Sequence, residues 1–150
     1  MILVSLFCFV GIIKVSAFTV KDSAQVEDYI LYMASHEGVS VNLALGIANA
    51  ESGTWHDKLK RKLPNPTAKN PVGTASGSFQ YLDSTFKGFC INTFGMTDTM
   101  NDKNHAAIQV NCAVEMLKMP LGYKHWCASY ENWIKSIPLE EQKLYNCVNA

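Results

Sequence analysis

Apolar and polar positions alternate along the chain with helical spacing in two adjacent N-terminal segments. Val26, Ile30, Met33 and Ala34 fall on one stripe; Asp22-Ser23 stand where a cap is needed, and Gly38 supplies a stop, so a first helix is expected between them. Ser40 is placed to cap a second helix, Val41 to Ala50. Its run Leu43-Ala44-Leu45-Gly46-Ile47-Ala48 is apolar almost all round, the mark of a helix buried on every side.

From Gly53 to Gly77 the periodicity breaks. Pro64, Pro66 and Pro71, with Asn65, Asn70 and Gly73, exclude a continuous helix and predict a long ordered loop with no strong hairpin signal. Beyond it, Asp83 or Ser84 caps a short helix reaching Cys90. Asn101 or Asp102 starts a longer one carrying Ala106, Val110, Ala113, Val114 and Leu117, stopped by Pro120 and Gly122. His125 to Ile134 and Leu139 to Val148 give two further helical stretches, the second with Pro138 at a first-turn position. The expected fold is therefore mainly α, a small bundle around one buried helix, with a long loop or short extended pieces after that helix.

The chain's 150 residues suit one domain, since domains commonly run to ~100–150 residues. Met1 to Ile13 is almost wholly apolar and is followed by Val15-Ser16-Ala17, so residues 1–17 read as a signal peptide and Phe18 as the mature start. The run is short against the ~20 residues of a membrane span; an uncleaved N-terminal tether is the alternative. Secretion to the cell envelope or beyond is expected, with no stable membrane insertion after cleavage. Lys and Arg number 13, as do Asp and Glu, and this balance gives no electrostatic case for nucleic acid. A monomer is expected.

Cys8 lies inside the apolar run, leaving Cys90, Cys112, Cys127 and Cys147. In an exported chain an even set points to two disulfides, with three connectivities open. Chain proximity favours Cys90 with Cys112 and Cys127 with Cys147. There is no CxxC or HExxH spacing, and His36, His56, His105 and His125 form no metal pattern.

Glu51 is where the chemistry concentrates. A carboxyl at the C-terminal end of the most apolar helix meets two influences that disfavour its charge, apolar surroundings and the negative end of the helix dipole. Both raise its pKa, as a general acid near neutral pH requires. The competing role is a solvated residue ending an amphipathic helix.

Ala50-Glu51-Ser52-Gly53, then Gly73-Thr74-Ala75-Ser76-Gly77-Ser78-Phe79-Gln80 with Ser84-Thr85, then Ala128-Ser129-Tyr130-Glu131-Asn132 follow one another in order. This series resembles the lytic transglycosylase family of the lysozyme-like superfamily, across roughly Val26 to Trp133. The third element departs from the family pattern: Glu131 separates Tyr130 from Asn132 and no glycine follows. The resemblance implies an α+β lysozyme-like fold. It implies too that Glu51 cuts the bond between N-acetylmuramic acid and N-acetylglucosamine in peptidoglycan, leaving 1,6-anhydromuramoyl ends, without metal or cofactor. Gln80 would bind substrate or orient the Glu51 loop, Ser52 would fix the carboxyl or the N-acetyl region, Tyr130 would reach Glu51 with its hydroxyl, and Asn132 would bind substrate. Phe79, Tyr81, Trp126 and Trp133 are candidate groove aromatics, with core packing as the competing role.

Two other readings stand beside this one. A hydrolytic muramidase needs a second carboxylate, for which Asp57 and Asp83 are the candidates. A non-catalytic wall-binding domain keeps the fold without the activity. The run Lys58-Leu59-Lys60-Arg61-Lys62 is a candidate attractor for anions of the wall, against the ordinary fate of a solvated charge run.

Overall fold

A computed structural model of the chain describes residues 20, 22–96 and 105–147. The expected signal peptide with its cleavage point at Phe18, the helix start at Asn101 or Asp102, and the end of the last helical stretch at Val148 lie outside the described residues.

The described chain is mainly helical with one small hairpin. Helix α1 spans Ser23–His36, and the Asp22 carboxylate accepts the Gln25 N–H at 2.9 Å to cap it. Gly38, at φ +69°, turns the chain after it. Helix α2 spans Val41–Ser52, one turn's fraction longer than expected; the Ser40 hydroxyl accepts the Leu43 N–H at 3.0 Å. Leu43, Ala44, Gly46, Ile47 and Ala48 are all buried, as an all-round apolar helix requires. Helix α2 packs against α1 and, on its other sides, against residues 61–63, 106–118 and 122–136.

The residues after α2 are not purely loop. Strands β1, Thr54–His56, and β2, Arg61–Leu63, pair antiparallel with Trp55 opposite Lys62. The hairpin lacked a sequence signal because its turn uses Lys60 at φ +52° rather than glycine or asparagine. Arg61 anchors it: the guanidinium makes a bidentate pair with the buried Glu27 carboxylate of α1. One member of the basic run is thus tied to a buried carboxylate while its own side chain stays half exposed.

Residues 66–82 form an ordered loop. Ser76 and Tyr81 exchange backbone hydrogen bonds of 3.2 and 3.1 Å around the turn Gly77-Ser78-Phe79-Gln80. Gly77 has φ +82°, and a side chain there would run into Gln109. Helix α3, Asp83–Thr85, has Leu82 as its N-cap and the Thr74 hydroxyl accepts its first N–H at 3.3 Å, so the expected Asp83 or Ser84 cap is corrected. The chain continues as a π-helical segment, Phe86–Thr93, wider than the expected α-helix.

Helix α4, Ala106–Lys118, buries Val110, Ala113 and Val114 against α1 and α2. The expected helix from His125 to Ile134 is three pieces: a 3-10 segment Gly122–Ser129, helix α5 Tyr130–Trp133, and a 3-10 turn Ile134–Ser136. Trp126, at φ −113° and ψ 23°, breaks the regular phase. Helix α6, Leu139–Gln142, is shorter than expected, and Pro138 occupies its N-cap rather than its first turn. The sequential pairing is the one found: Cys90–Cys112 and Cys127–Cys147 are disulfides, with Cα atoms 5.3 and 5.4 Å apart. Among the described residues no helix is long and apolar enough to cross a membrane.

Candidate active site

Glu51 occupies the last turn of α2, where the apolar helix reaches the surface. Its carboxyl is partly buried, and that burial raises its pKa above the ordinary carboxylate value. A hydroxyl works in the opposite direction: Ser129 donates to Glu51 Oε1 at 2.5 Å, favouring the charged form. The Ser129 hydroxyl also lies 3.2 Å from the Trp126 carbonyl oxygen, which fixes it at the end of the 3-10 segment.

Glu51 opens into a groove of about 310 Å³. One wall comes from residues 79–82 and Thr85, the other from His125, Trp126 and Ala128. The walls are joined by the Trp126 indole N–H, which donates to the Phe79 carbonyl at 3.0 Å. Among the described residues lining this groove Glu51 is the only carboxylate. Asp57 is exposed on the hairpin loop and Asp83 begins α3, and neither belongs to the lining.

Gln80 lines the groove close to where the motif implied, at φ +49°. Its Nε2 donates to the Gly77 carbonyl at 2.9 Å and the Ala68 carbonyl at 3.3 Å, so the amide braces its own turn while its flank faces the cavity. Phe79 and Tyr81 touch the groove but are almost wholly buried, at 0% and 1% exposure. Their rings pack with Trp126 as the groove's floor and give no free face for stacking on a sugar. Trp133 is buried in the core, its indole N–H donating to the Trp126 carbonyl at 2.9 Å.

Two expected contacts with Glu51 are not made, and a third residue lies away from the groove. The Ser52 hydroxyl is buried and fully engaged: it donates between the Ala48 and Ser78 carbonyls, at 3.0 and 2.9 Å, and accepts the Asn65 N–H at 2.9 Å. It ties α2 to the 65 and 78 loops and does not hold the Glu51 carboxyl. The Tyr130 hydroxyl donates to the Tyr145 carbonyl at 3.2 Å, away from Glu51; the kink at Trp126 brings Ser129 to the acid in its place. Asn132 is exposed and lines a separate cavity beside α2.

Sequence reasoning missed Ser129, His125 and Gln109. Ser129 is adjacent to the expected Tyr130, and only a knowledge of the helix phase distinguishes the two. His125 stands at the groove with its ring edge-on to Phe89, centroids 4.6 Å apart, and partial burial lowers its pKa. Gln109, fully buried on α4, accepts the Ser78 N–H at 2.8 Å and donates to the Pro66 carbonyl at 3.3 Å. A lone glutamine within an apolar helical stripe is the signal that marks it.

Fold and site together define a mainly helical, disulfide-stapled domain in which one half-buried acid faces a groove. No family model, curated protein or solved structure matches the chain.

Proposed function

We propose that the domain is an exported peptidoglycan lytic transglycosylase on a lysozyme-like fold, with Glu51 as its single acid and base. The observation that carries this reading is the solitary carboxyl in the groove, with its pKa raised by burial and its oxygen held by Ser129. An acid kept protonated toward neutral pH is what departure of a sugar oxygen requires. The two disulfides fit an oxidising compartment.

In the proposed reaction the protonated Glu51 donates to the glycosidic oxygen between the muramoyl and glucosaminyl units. The C1–O bond breaks, its electron pair leaving with that oxygen, and the N-acetyl group of the muramoyl sugar stabilises the charge at C1. The muramoyl 6-hydroxyl then attacks C1 while the Glu51 carboxylate takes its proton. A 1,6-anhydro ring forms, the acid is regenerated and no water is consumed. One carboxyl suffices, whereas a hydrolase of the two-carboxylate type needs a second, and the groove lining offers none among the described residues.

Digestion of purified peptidoglycan followed by mass spectrometry tests the reading. Anhydromuramoyl ends are expected, and Glu51→Gln is expected to lower the rate by at least ~10²–10⁴-fold, the usual worth of general acid–base catalysis. Reducing ends would replace the lyase with a muramidase on the same site. If the wild type releases no fragment yet binds glycan, the domain is a wall-binding module.

A further inference from the structure

A second cavity, of about 500 Å³, is lined by residues close in the chain to Glu51 and Ser129. It shares no lining residue with the groove, yet it is contiguous with it in the chain. Ala50, the neighbour of Glu51, forms one wall, and Asn132, one turn beyond Ser129, forms another. Gly46 makes room here, since a side chain at that position would meet Ser136 Oγ and the Trp133 carbonyl.

The cavity is basic. Lys62 enters from β2 and Lys135 from the turn after α5. Lys62 has no acidic partner among the described residues, and Lys135 is only 4.0 Å from the exposed Glu131. The neighbouring Arg61 is committed to Glu27 on the opposite face of the hairpin. Directly opposed residues of an antiparallel pair share a face, so Lys62 stands beside Trp55, which is 56% exposed.

We propose that this pocket binds the carboxylate-bearing peptide substituents carried by the glycan strand that Glu51 cuts. The inference rests on the glycan-cleaving reading of the first groove. A peptide-free strand offers one lactyl carboxylate per muramoyl unit, held close to the sugar ring, which is too few and too short in reach to pair both ammonium groups. A peptide attached to the strand supplies carboxylates for Lys62 and Lys135, while Trp55 offers an exposed aromatic face at the pocket's edge. Two lysines in a chain of zero net charge thus select strands by their substituents.

The test is calorimetric binding by the full chain carrying Glu51→Gln, to soluble glycan fragments with and without their peptides. Peptide-bearing fragments are expected to bind about tenfold more tightly, with that ratio falling toward one in Lys62→Ala/Lys135→Ala. Amidating the peptide carboxylates should have the same effect. An equal affinity for both fragments, or a ratio the double variant leaves intact, overturns the proposal; so does competition by inorganic phosphate as strong as by the free peptide. If the wild type cuts no glycan but the lysine-dependent ratio persists, the pocket stands and the catalytic reading falls.

Discussion

At the scale of single residues the site is a contest between burial and a hydrogen bond acting on Glu51. Burial resists its ionisation and the Ser129 hydroxyl favours it, with burial the larger. A general acid must be protonated, so the rate falls as pH rises through the Glu51 pKa, and raising that pKa carries activity to higher pH. Ser129→Ala removes the hydrogen bond that opposes burial. The descending limb of the pH–rate profile should therefore move to higher pH, with kcat lowered by about 10–100-fold for the loss of a hydrogen bond to a charged group. Ser129→Thr, which keeps the hydroxyl, should restore the limb. A profile measured on Ser129→Ala with the limb unmoved would remove the hydroxyl from the tuning of Glu51. Tyr130→Phe should leave the limb where it is, because that hydroxyl is bonded to Tyr145.

Local signals at this scale were legible in part. Glu51 was visible because its surroundings are its own helix, and the two helix caps because each bonds three residues ahead. Gln80 was visible through the glycines that shape its turn. The Ser129–Glu51 contact joins residues 78 apart in sequence. No periodicity reaches that far.

At the scale of elements, the turn 77–80 is held from outside by Gln109 of α4, and its geometry leaves no room for a β-carbon at Gly77. An added methyl group would lie 2.3–2.5 Å from atoms of the fully buried Gln109 side chain, on a backbone already at positive φ. Gly77→Ala should cost about 3 kcal/mol from strain and overpacking together. Gly73→Ala is the control: nothing lies within 4 Å of that position, and its effect should stay within about 0.5 kcal/mol. Urea unfolding of the two variants measures the difference. Equal midpoints would show that the turn is not clamped by α4.

The hairpin belongs to the same scale and explains one failure of the sequence reading. Its strands are three residues each, too short for an alternating pattern to stand out, and marginal without support. What secures β2 is the pairing of Arg61 with Glu27 from a helix 34 residues earlier. A charge run alone does not say which of its members turns inward.

For the whole molecule, the two disulfides staple separate halves of the site's support. Cys90–Cys112 joins the π-helical segment to α4, both sulfurs in the core. Cys127–Cys147 holds the 3-10 segment that presents Ser129 to Glu51. Each closes a loop of about twenty residues, so removing either by paired alanine substitution should cost ~3 kcal/mol. The losses differ in function. Below both melting temperatures, Cys127→Ala/Cys147→Ala should depress glycan cleavage more than Cys90→Ala/Cys112→Ala does; the reverse order would detach the C-terminal staple from the site.

The sequence by itself determined the buried helix α2, the caps that begin α1 and α2, the acid at the end of α2, and the four cysteines whose nearest-neighbour pairing is the one found. These are properties of residues within a turn or two of one another, or of closures that chain proximity favours. Only the tertiary structure decided that Ser129 rather than Tyr130 or Ser52 meets Glu51, that Phe79 and Tyr81 form floor and not platform, and that Asn132 joins Lys62 and Lys135 in a second pocket. Those outcomes depend on how elements are rotated against each other. A kink at Trp126 and a close approach at Gly46 set that rotation, and neither is written in the apolar pattern.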